Sequence, residues 1–499
     1  MTLIIIVPMF FLPNTIGLYI RDPKEITQEQ SQELIIWKFD QRTFSAIMIF
    51  VIEGFYYFFL IATLFPGIFL IIWSTLAKWR EGHPIHGKMS LNEIKKDDKI
   101  IKKRKKFFSL TRSDRDYLPM GLYKETEFPI NLTEDLTKFN DYPDISLIIP
   151  CYNEEQNVAQ AIENAYLQDY PGKMEIIVVD DGSRDNTRAI CEILKENGKD
   201  RKIIALHKSN GGKASAINLG LDHAKGKIII TTDGDSHFNR DCVSSIIHEF
   251  KRHPKAGIIG GFVLIRNTEK GYLVKLQQME YILTQHAVRI PQSEMGNVLI
   301  EPGPVFGIRA DVAKRYPCLT RTCCEDVDLT QTVLGCGYPT RTALGAVSLT
   351  NAPTTWRQWY NQRKRWIYGQ YQSWRENKHF LKRNLWGLYM YFTWLSSFIT
   401  LCILITLMVV TFILLPMLYF NQYLFVFISV RTVLIVLIYL IVRVIVLYQY
   451  KEGKSVILYL PFKVIYDLLN SLLSAVLYFR FVTGLGVKIR WGEKTIKLR

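Results

Sequence analysis

Hydrophobic positions along the chain fall into blocks. Apolar runs occupy residues 3–20 and 44–76 near the start and 387–420, 422–450 and 455–486 near the end. A helix needs about 20 apolar residues to cross a bilayer, so residues 1–76 and 387–486 are predicted to form N-terminal and C-terminal transmembrane helices. The first run is broken by Pro8 and Pro13 and has neither a basic leader nor a clean small-residue cleavage site, which reads as a span rather than a removed signal. The middle has another rhythm. Short runs rich in β-branched residues, ISLIIP (145–150), MEIIVVDDGS (174–183), KIIALH (202–207), KIIITTDGDS (227–236) and AGIIGGFV (256–263), are separated by helical patterns. Strands that are apolar on both faces and alternate with helices predict an α/β domain over 145–353, with a mostly parallel, Rossmann-like sheet covered on both sides. Residues 354–386 are rich in Trp, Arg, Lys and Tyr, the composition of amphipathic helices in a membrane interface. A polar, basic linker (77–144) and a short basic tail (487–499) complete the order.

Composition changes this picture little, because 48% hydrophobic and 22% charged residues are ordinary averages over a segregated chain. Charge adds more. There are 62 Lys+Arg against 46 Asp+Glu, a surplus of +16, and basic residues crowd Lys95–Lys106 (KKDDKIIKKRKK) beside the second apolar run. Such a cluster suits an anionic membrane face, and a solvated tether is the plainer alternative. No base-reading motif accompanies it, so nucleic acid is not an expected partner. The loop 21–43 carries mixed charge, so the positive-inside rule places residue 78 onward, with the α/β domain, on the cytoplasmic side of a multi-pass cell-membrane protein. Glu53, Arg431, Arg443, Lys463, Asp467 and Arg480 interrupt the apolar runs and are expected to face protein, a polar path or an interface. The eight cysteines form no CxxC pair and read as reduced thiols, with Cys323-Cys324 adjoining an acidic pair.

Candidate chemistry gathers at strand ends, where parallel sheets bind ligands. Asp233-Gly234-Asp235 follows an apolar strand, and two carboxylates at i and i+2 can share a hard divalent cation that neutralises a diphosphate, although aspartates at such ends also cap turns. Asp180-Asp181-Gly182-Ser183 is a second acidic turn, able to accept hydrogen bonds from a base and a ribose or simply to cap a helix. Tyr152 and Glu154 follow the first strand, where Tyr152 can stack on a base. Asn210-Gly211-Gly212-Lys213 offers a loop and a cation. Glu325-Asp326 opens a helix; a carboxylate there can take a proton from a sugar hydroxyl or merely complement the helix dipole. Gln362, Arg365 and Trp366 share one helical face, presenting an amide, a guanidinium and an indole.

In order, PCYNE, VVDDGS, NGGK, DGD, ED and QxxRW resemble a processive, membrane-integrated family 2 glycosyltransferase, the group of poly-N-acetylglucosamine, hyaluronan, chitin and cellulose synthases. The resemblance implies a GT-A catalytic domain set between membrane helices. It implies a UDP-sugar donor bound by Tyr152, Glu154, Asp180, Asp181 and Lys213, and Mg2+ or Mn2+ on Asp235 with Asp233. Asp326, with Glu325 beside it, would be the general base. Gln362 and Arg365 would hold the diphosphate, and Trp366 the acceptor sugar. Cys324 stands where the family usually has threonine, the FxVTxK motif of cellulose synthases is missing, and Arg490-Trp491 resembles a carboxy-terminal gating segment. Such a tail must reach the cytoplasmic site, so Pro461 is expected to split residues 455–486 into a re-entrant arm and a crossing helix. The implied activity is inverting transfer that lengthens a β-linked glycan, from UDP-N-acetylglucosamine in the first instance, and passes it across the bilayer. A growing glycan, the lipid bilayer and accessory or export subunits would be its partners. The alternative is a nonprocessive enzyme that glycosylates a lipid; a scaffold with an inert nucleotide domain is a third reading.

Overall fold

The computed structural model describes residues 142–196, 200–377, 437, 440–483, 488–491 and 494–497. The apolar runs at 3–20, 44–76 and 387–420, the Lys95–Lys106 cluster, Glu53 and Arg431 lie outside the described residues.

Each β-branched run becomes a strand: β1 (Ile145–Cys151), β2 (Met174–Asp180), β3 (Ile203–His207), β4 (Ile228–Thr232) and β6 (Ile258–Ile265). The two-residue β5 (His237–Phe238), β7 (Val305–Arg309) and the long β8 (Thr340–Thr350) complete one eight-stranded sheet in the order β3-β2-β1-β4-β7-β6-β8-β5. The sheet is mixed. β1 pairs in parallel with β2 and β4, β2 with β3 and β6 with β8, whereas β7 runs antiparallel between β4 and β6, and β5 antiparallel to β8. The expected parallel character therefore holds for the half built from the first four strands. Beyond it, β7 returns against its neighbours and gives the second half a reversed strand.

Helices α1 (Val158–Tyr166), α2 (Thr187–Glu196), α3 (Lys213–His223) and α4 (Cys242–Arg252) alternate with the strands. Residues from β1, β2, α1, α2 and α4 form one apolar layer, with Ile162, Val178, Ile190 and Ile246 fully buried. The opposite face packs α3, a short α7 (Ala310–Arg315) and α8 (Glu325–Gly335), through Ile217, Val312, Leu329 and Val333. Between β6 and β7 run α5 (Tyr272–Thr284), a π-helical turn (Gln285–Arg289) and a short α6 (Ile290–Glu294).

The helix α9 (Trp356–Glu376) starts at a capping box. Thr355 Oγ1 accepts from the Gln358 N–H at 3.3 Å, and Gln358 Oε1 accepts from the Thr355 N–H at 3.3 Å. After a short α10 (Lys451–Lys454) comes α11 (Leu460–Val482). Pro461 sits in the first turn of α11, where its missing N–H costs nothing, so one continuous helix follows it. Residues 457–481 are long and apolar enough to cross a membrane, with a mean hydropathy of 1.4. Phe462, Ile465 and Phe479 are well exposed on the outer face of α11, while Leu477 and Tyr478 pack against Ile367 and Tyr368 of α9. The charges in these runs pair with one another: Asp467 accepts from Arg443 at 2.6 Å and from Lys463. Arg480 stays exposed in the last turn of α11. The hairpin of β9 (Lys488–Trp491) and β10 (Lys494–Lys497) carries Arg490 and Trp491 and passes beside α9.

Candidate active site

The register of the sheet assembles the site. Cys151, the last residue of β1, faces Asp180, the last of β2, and β4 ends one residue before Asp233. The loops after β1, β2 and β4 therefore open on the same edge. There lies a cleft of about 1300 Å³, lined by Tyr152, Glu154, Asp181, Lys213, Asp233 and Asp235. Glu325, Asp326, Gln362, Arg365 and Trp366 line the same cleft.

Asp181 organises the loop before α3. Its Oδ1 accepts from Lys208 Nζ at 2.8 Å and the Gly211 N–H at 2.9 Å, and its Oδ2 accepts from the Gly212 N–H at 2.7 Å. Gly212 has φ +89°, a conformation most side chains resist, and Lys213 follows as the first residue of α3. Asp180 points elsewhere: its oxygens accept from the Ser183 N–H at 3.0 Å and face His207 Nδ1 at 3.3 Å, and it does not line the cleft. Its place is to hold the turn that aims Asp181.

Lys213 is the electrostatic centre. Its Nζ lies 2.5 Å from Asp233 Oδ1 and 2.8 Å from Glu325 Oε1. Burial alone would depress this ammonium, but Asp233, Glu325 and Asp326 outweigh it and hold it well above its ordinary range. Asp326 Oδ2 accepts from the Gly303 N–H at 3.0 Å and Oδ1 from the Val327 N–H at 2.9 Å. Burial first, then the charge of Glu325, raises the Asp326 carboxyl to about 6. A Cβ on Gly303 would lie 3.0 Å from Asp326 Oδ2 and 3.1 Å from Lys213 Nζ, a close fit against both charged groups.

Gly234 sits against the end of β1, where a Cβ would meet Cys151 Cβ and the Pro150 carbonyl oxygen at 3.2 Å. The missing side chain lets the Asp233–Asp235 turn close onto the end of β1. Burial and the neighbouring Asp233 raise Asp235 to about 6, and burial with Asp235 and Asp233 raises Glu154 to about 7. Carboxylates crowded this way suit a hard divalent cation. No group of three or more metal-ligating side chains is gathered among the described residues. Mg2+ commonly takes one or two carboxylates, with its remaining ligands from phosphates and water.

Also lining the cleft, Gln362 Oε1 is buried with no hydrogen-bond partner among the described residues. The Trp366 ring lies under the Arg363 guanidinium, 4.4 Å from its centroid, and 6.4 Å from the Tyr281 ring. Arg363 Nη2 donates to Glu280 Oε2 at 2.6 Å and to Tyr466 Oη at 3.1 Å, while Tyr466 Oη donates to the same Glu280 oxygen at 2.6 Å. This network ties α5, α9 and α11 together at the cleft. Asn470, Ser474 and Tyr478, one stripe of α11, continue the lining beyond Trp366.

Several lining residues carry no sequence motif. Tyr281, Gln285, Arg289 and Gln292 come from α5, the π-helical turn and α6, and Cys323 from the loop before α8. The Pro302-Gly303-Pro304 turn was the one available signal: two prolines around a glycine mark a rigid, close-packed bend.

Residues 146–316 match the family described as Glycosyl transferase family 2. The chain carries a family 2 glycosyltransferase domain. Over 246 residues it is 28% identical to "Probable glycosyltransferase YdaM" of Bacillus subtilis, covering 48% of this chain and 59% of that protein. It is 29% identical over 243 residues to "N-acetylglucosaminyltransferase" of Azorhizobium caulinodans, covering 46% and 60%. It is 35% identical over 154 residues to "Poly-beta-1,6-N-acetyl-D-glucosamine synthase" of Staphylococcus epidermidis, covering 31% and 36%. The chain thus spans from about a third to three fifths of the curated relatives it matches. The cleft described above begins in this glycosyltransferase domain and is completed by α9 and α11, downstream of the matched residues.

Proposed function

We propose that the chain is a processive, inverting, membrane-bound glycosyltransferase. It transfers sugar from a UDP-sugar, UDP-N-acetylglucosamine first among candidates, to the nonreducing end of a β-linked glycan and passes the product across the membrane. The observation that carries this reading is one cleft whose lining joins the carboxylates at the strand ends, Asp326, Trp366 and the polar stripe of an otherwise apolar helix. Two of the relatives are named for N-acetylglucosamine, which supports that donor.

In this reading Asp181, Tyr152 and Glu154 line the nucleotide end, while Lys213 and Arg365 offer positive charge to the leaving diphosphate. Asp233 and Asp235 would hold Mg2+ or Mn2+, which supplies charge neutralisation for the diphosphate. The Gly303 N–H and Val327 N–H hold the Asp326 carboxylate in one orientation. From there it removes the acceptor hydroxyl proton as the new glycosidic bond forms and the UDP bond breaks. One base and a single displacement give inversion. Trp366 offers an indole face to the acceptor sugar, and α11 offers hydroxyls and an amide to the lengthening glycan.

Asp326→Asn keeps the shape and one hydrogen bond but removes the base. Polymer synthesis should fall by about 10²- to 10⁴-fold while donor binding persists. Full turnover in that variant overturns the base assignment. Product length separates the mechanisms: a ladder or smear of polymer supports processivity, and a single glycolipid band supports transfer to lipid.

A further inference from the structure

Arg289 is a cation of the cleft that the transfer chemistry above does not use. It closes the π-helical turn after α5, a kind of turn often found at functional sites. Gln285, at the other end of that turn, is fastened to β6. Its Oε1 accepts from the Val263 N–H at 2.7 Å, and its Nε2 donates to the Val263 carbonyl oxygen at 2.5 Å. The same Oε1 accepts from Arg289 Nη1 at 3.2 Å, which ties the guanidinium to a fixed point of the sheet. Among the described residues this is the one hydrogen bond of the Arg289 side chain, and no carboxylate forms an ion pair with it. Burial holds the group below its ordinary range, with Glu301, Asp326 and Tyr281 acting against that, so these three are its electrostatic neighbours. The Tyr281 ring in turn lies 6.4 Å from that of Trp366. A desolvated guanidinium is costly unless it is paired. Glu301 supplies little compensation, because its own burial raises it to about 8 and leaves it mostly uncharged at neutral pH. The remaining N–H groups of Arg289 are left for a molecule bound in the cleft.

We propose that Arg289 is a specificity-determining residue for the acceptor, donating to the acetamido carbonyl oxygen of its terminal sugar and so turning one ring hydroxyl toward Asp326; this rests on the functional reading above. Its neighbours group it with the acceptor: Asp326 is the base, and Tyr281 adjoins the Trp366 indole. The diphosphate already has Lys213 and Arg365. A guanidinium only donates, so it favours an oxygen that only accepts, whereas a sugar hydroxyl does both. An acetamido carbonyl and a carboxylate both qualify. The negative charges of Glu325 and Asp326 repel a second carboxylate, while a neutral carbonyl takes the hydrogen bond and adds no charge. The anchor through Gln285 gives the guanidinium one position, which is what turns a hydrogen bond into a choice between sugars.

The purified full-length chain is given β-linked N-acetylglucosamine oligomers, or glucose oligomers of the same length and linkage. Acceptor kcat/KM is read from UDP release at pH 8, where Asp326 is ionised. The parent chain should prefer the N-acetylated oligomers by about 10- to 10²-fold, the effect of one hydrogen bond from a charged donor. Arg289→Met should lose that preference while donor KM stays where it was. No preference in the parent chain, a preference kept in Arg289→Met, a raised donor KM in place of a lost preference, or better use of a uronic-acid oligomer would each overturn the proposal. Calorimetric binding of the same oligomers without donor should show the preference and its loss in the variant. A chain that shows both in binding but transfers no sugar counts against the functional reading instead.

Discussion

Gly369 packs α9 closely against the start of α8. Replacing Gly369 by Ala adds one methyl to α9, and by helix propensity alone this should stabilise the protein by about 1 kcal/mol. The surroundings reverse the sign. The added carbon lies 2.7 Å from Cys324 Cβ and 3.2 Å from Cys324 N, where ordinary contact begins at 3.4 Å. Cys324 Sγ can rotate away, but its Cβ and backbone cannot, so α8 must retreat by about 0.7 Å, the difference between 3.4 and 2.7 Å. Overpacking of this kind costs about 1–3 kcal/mol, which offsets the propensity gain. The larger effect falls on chemistry, because Asp326 rides on the first turn of α8. A misplacement approaching 1 Å costs up to about 10²-fold in rate, so Gly369→Ala should lower kcat by about 10- to 10²-fold with little change in donor KM. The assay is release of UDP from the donor, over a range of donor concentrations, alongside thermal unfolding. Cys324→Gly removes both clashing side-chain atoms and is an acceptable residue before a helix, so the double variant should recover most of the loss. Wild-type kcat in Gly369→Ala, or no recovery in the double variant, refutes the reasoning.

Two further predictions concern protons. As a base, Asp326 must be ionised, so kcat should fall as pH drops through about 6, roughly tenfold per unit below it. Saturating donor and cation keep Asp235, also raised to about 6, from contributing. Glu325→Gln removes the neighbouring negative charge and should move this limb to lower pH; an unmoved limb assigns the titration elsewhere. Glu301 is buried and lies against β6, and its burial, only partly offset by Arg289, raises it to about 8. A carboxyl raised on folding stabilises the fold relative to higher pH: its contribution is complete below about 4.5, the ordinary value, and is lost as pH rises through about 8. Glu301→Gln should therefore unfold at nearly the parent temperature at pH 5 and at a higher one at pH 9. A large loss at pH 5 would mean that the carboxylate itself is needed beside Arg289.

Local patterns in the chain specify local structure. Period and β-branching mark β1 to β4 and β6, because a strand buried on both faces must be apolar at every position. Asp-Gly-Asp after β4 and the Asn-Gly-Gly before Lys213 stand out because glycine, aspartate and asparagine mark turns. Gln362, Arg365 and Trp366 share a face by helical spacing alone. Tertiary structure decided which of these groups meet. The two neighbouring aspartates after β2 look equivalent in sequence, but the register with β3 turns Asp180 toward His207 and leaves Asp181 in the cleft. Lys213 and Glu325 are far apart in the chain and become an ion pair only when α3 and α8 pack on one face of the sheet. β7 reverses the sheet because a returning strand can satisfy its backbone in either direction, a choice no local pattern encodes. The contribution of Tyr281, Arg289 and Gln292 depends on a π-helical turn, and that of Asn470, Ser474 and Tyr478 on how an apolar helix is rotated. Both are set by packing between elements distant in sequence, because a cleft is a property of surfaces brought together and not of any segment that forms it.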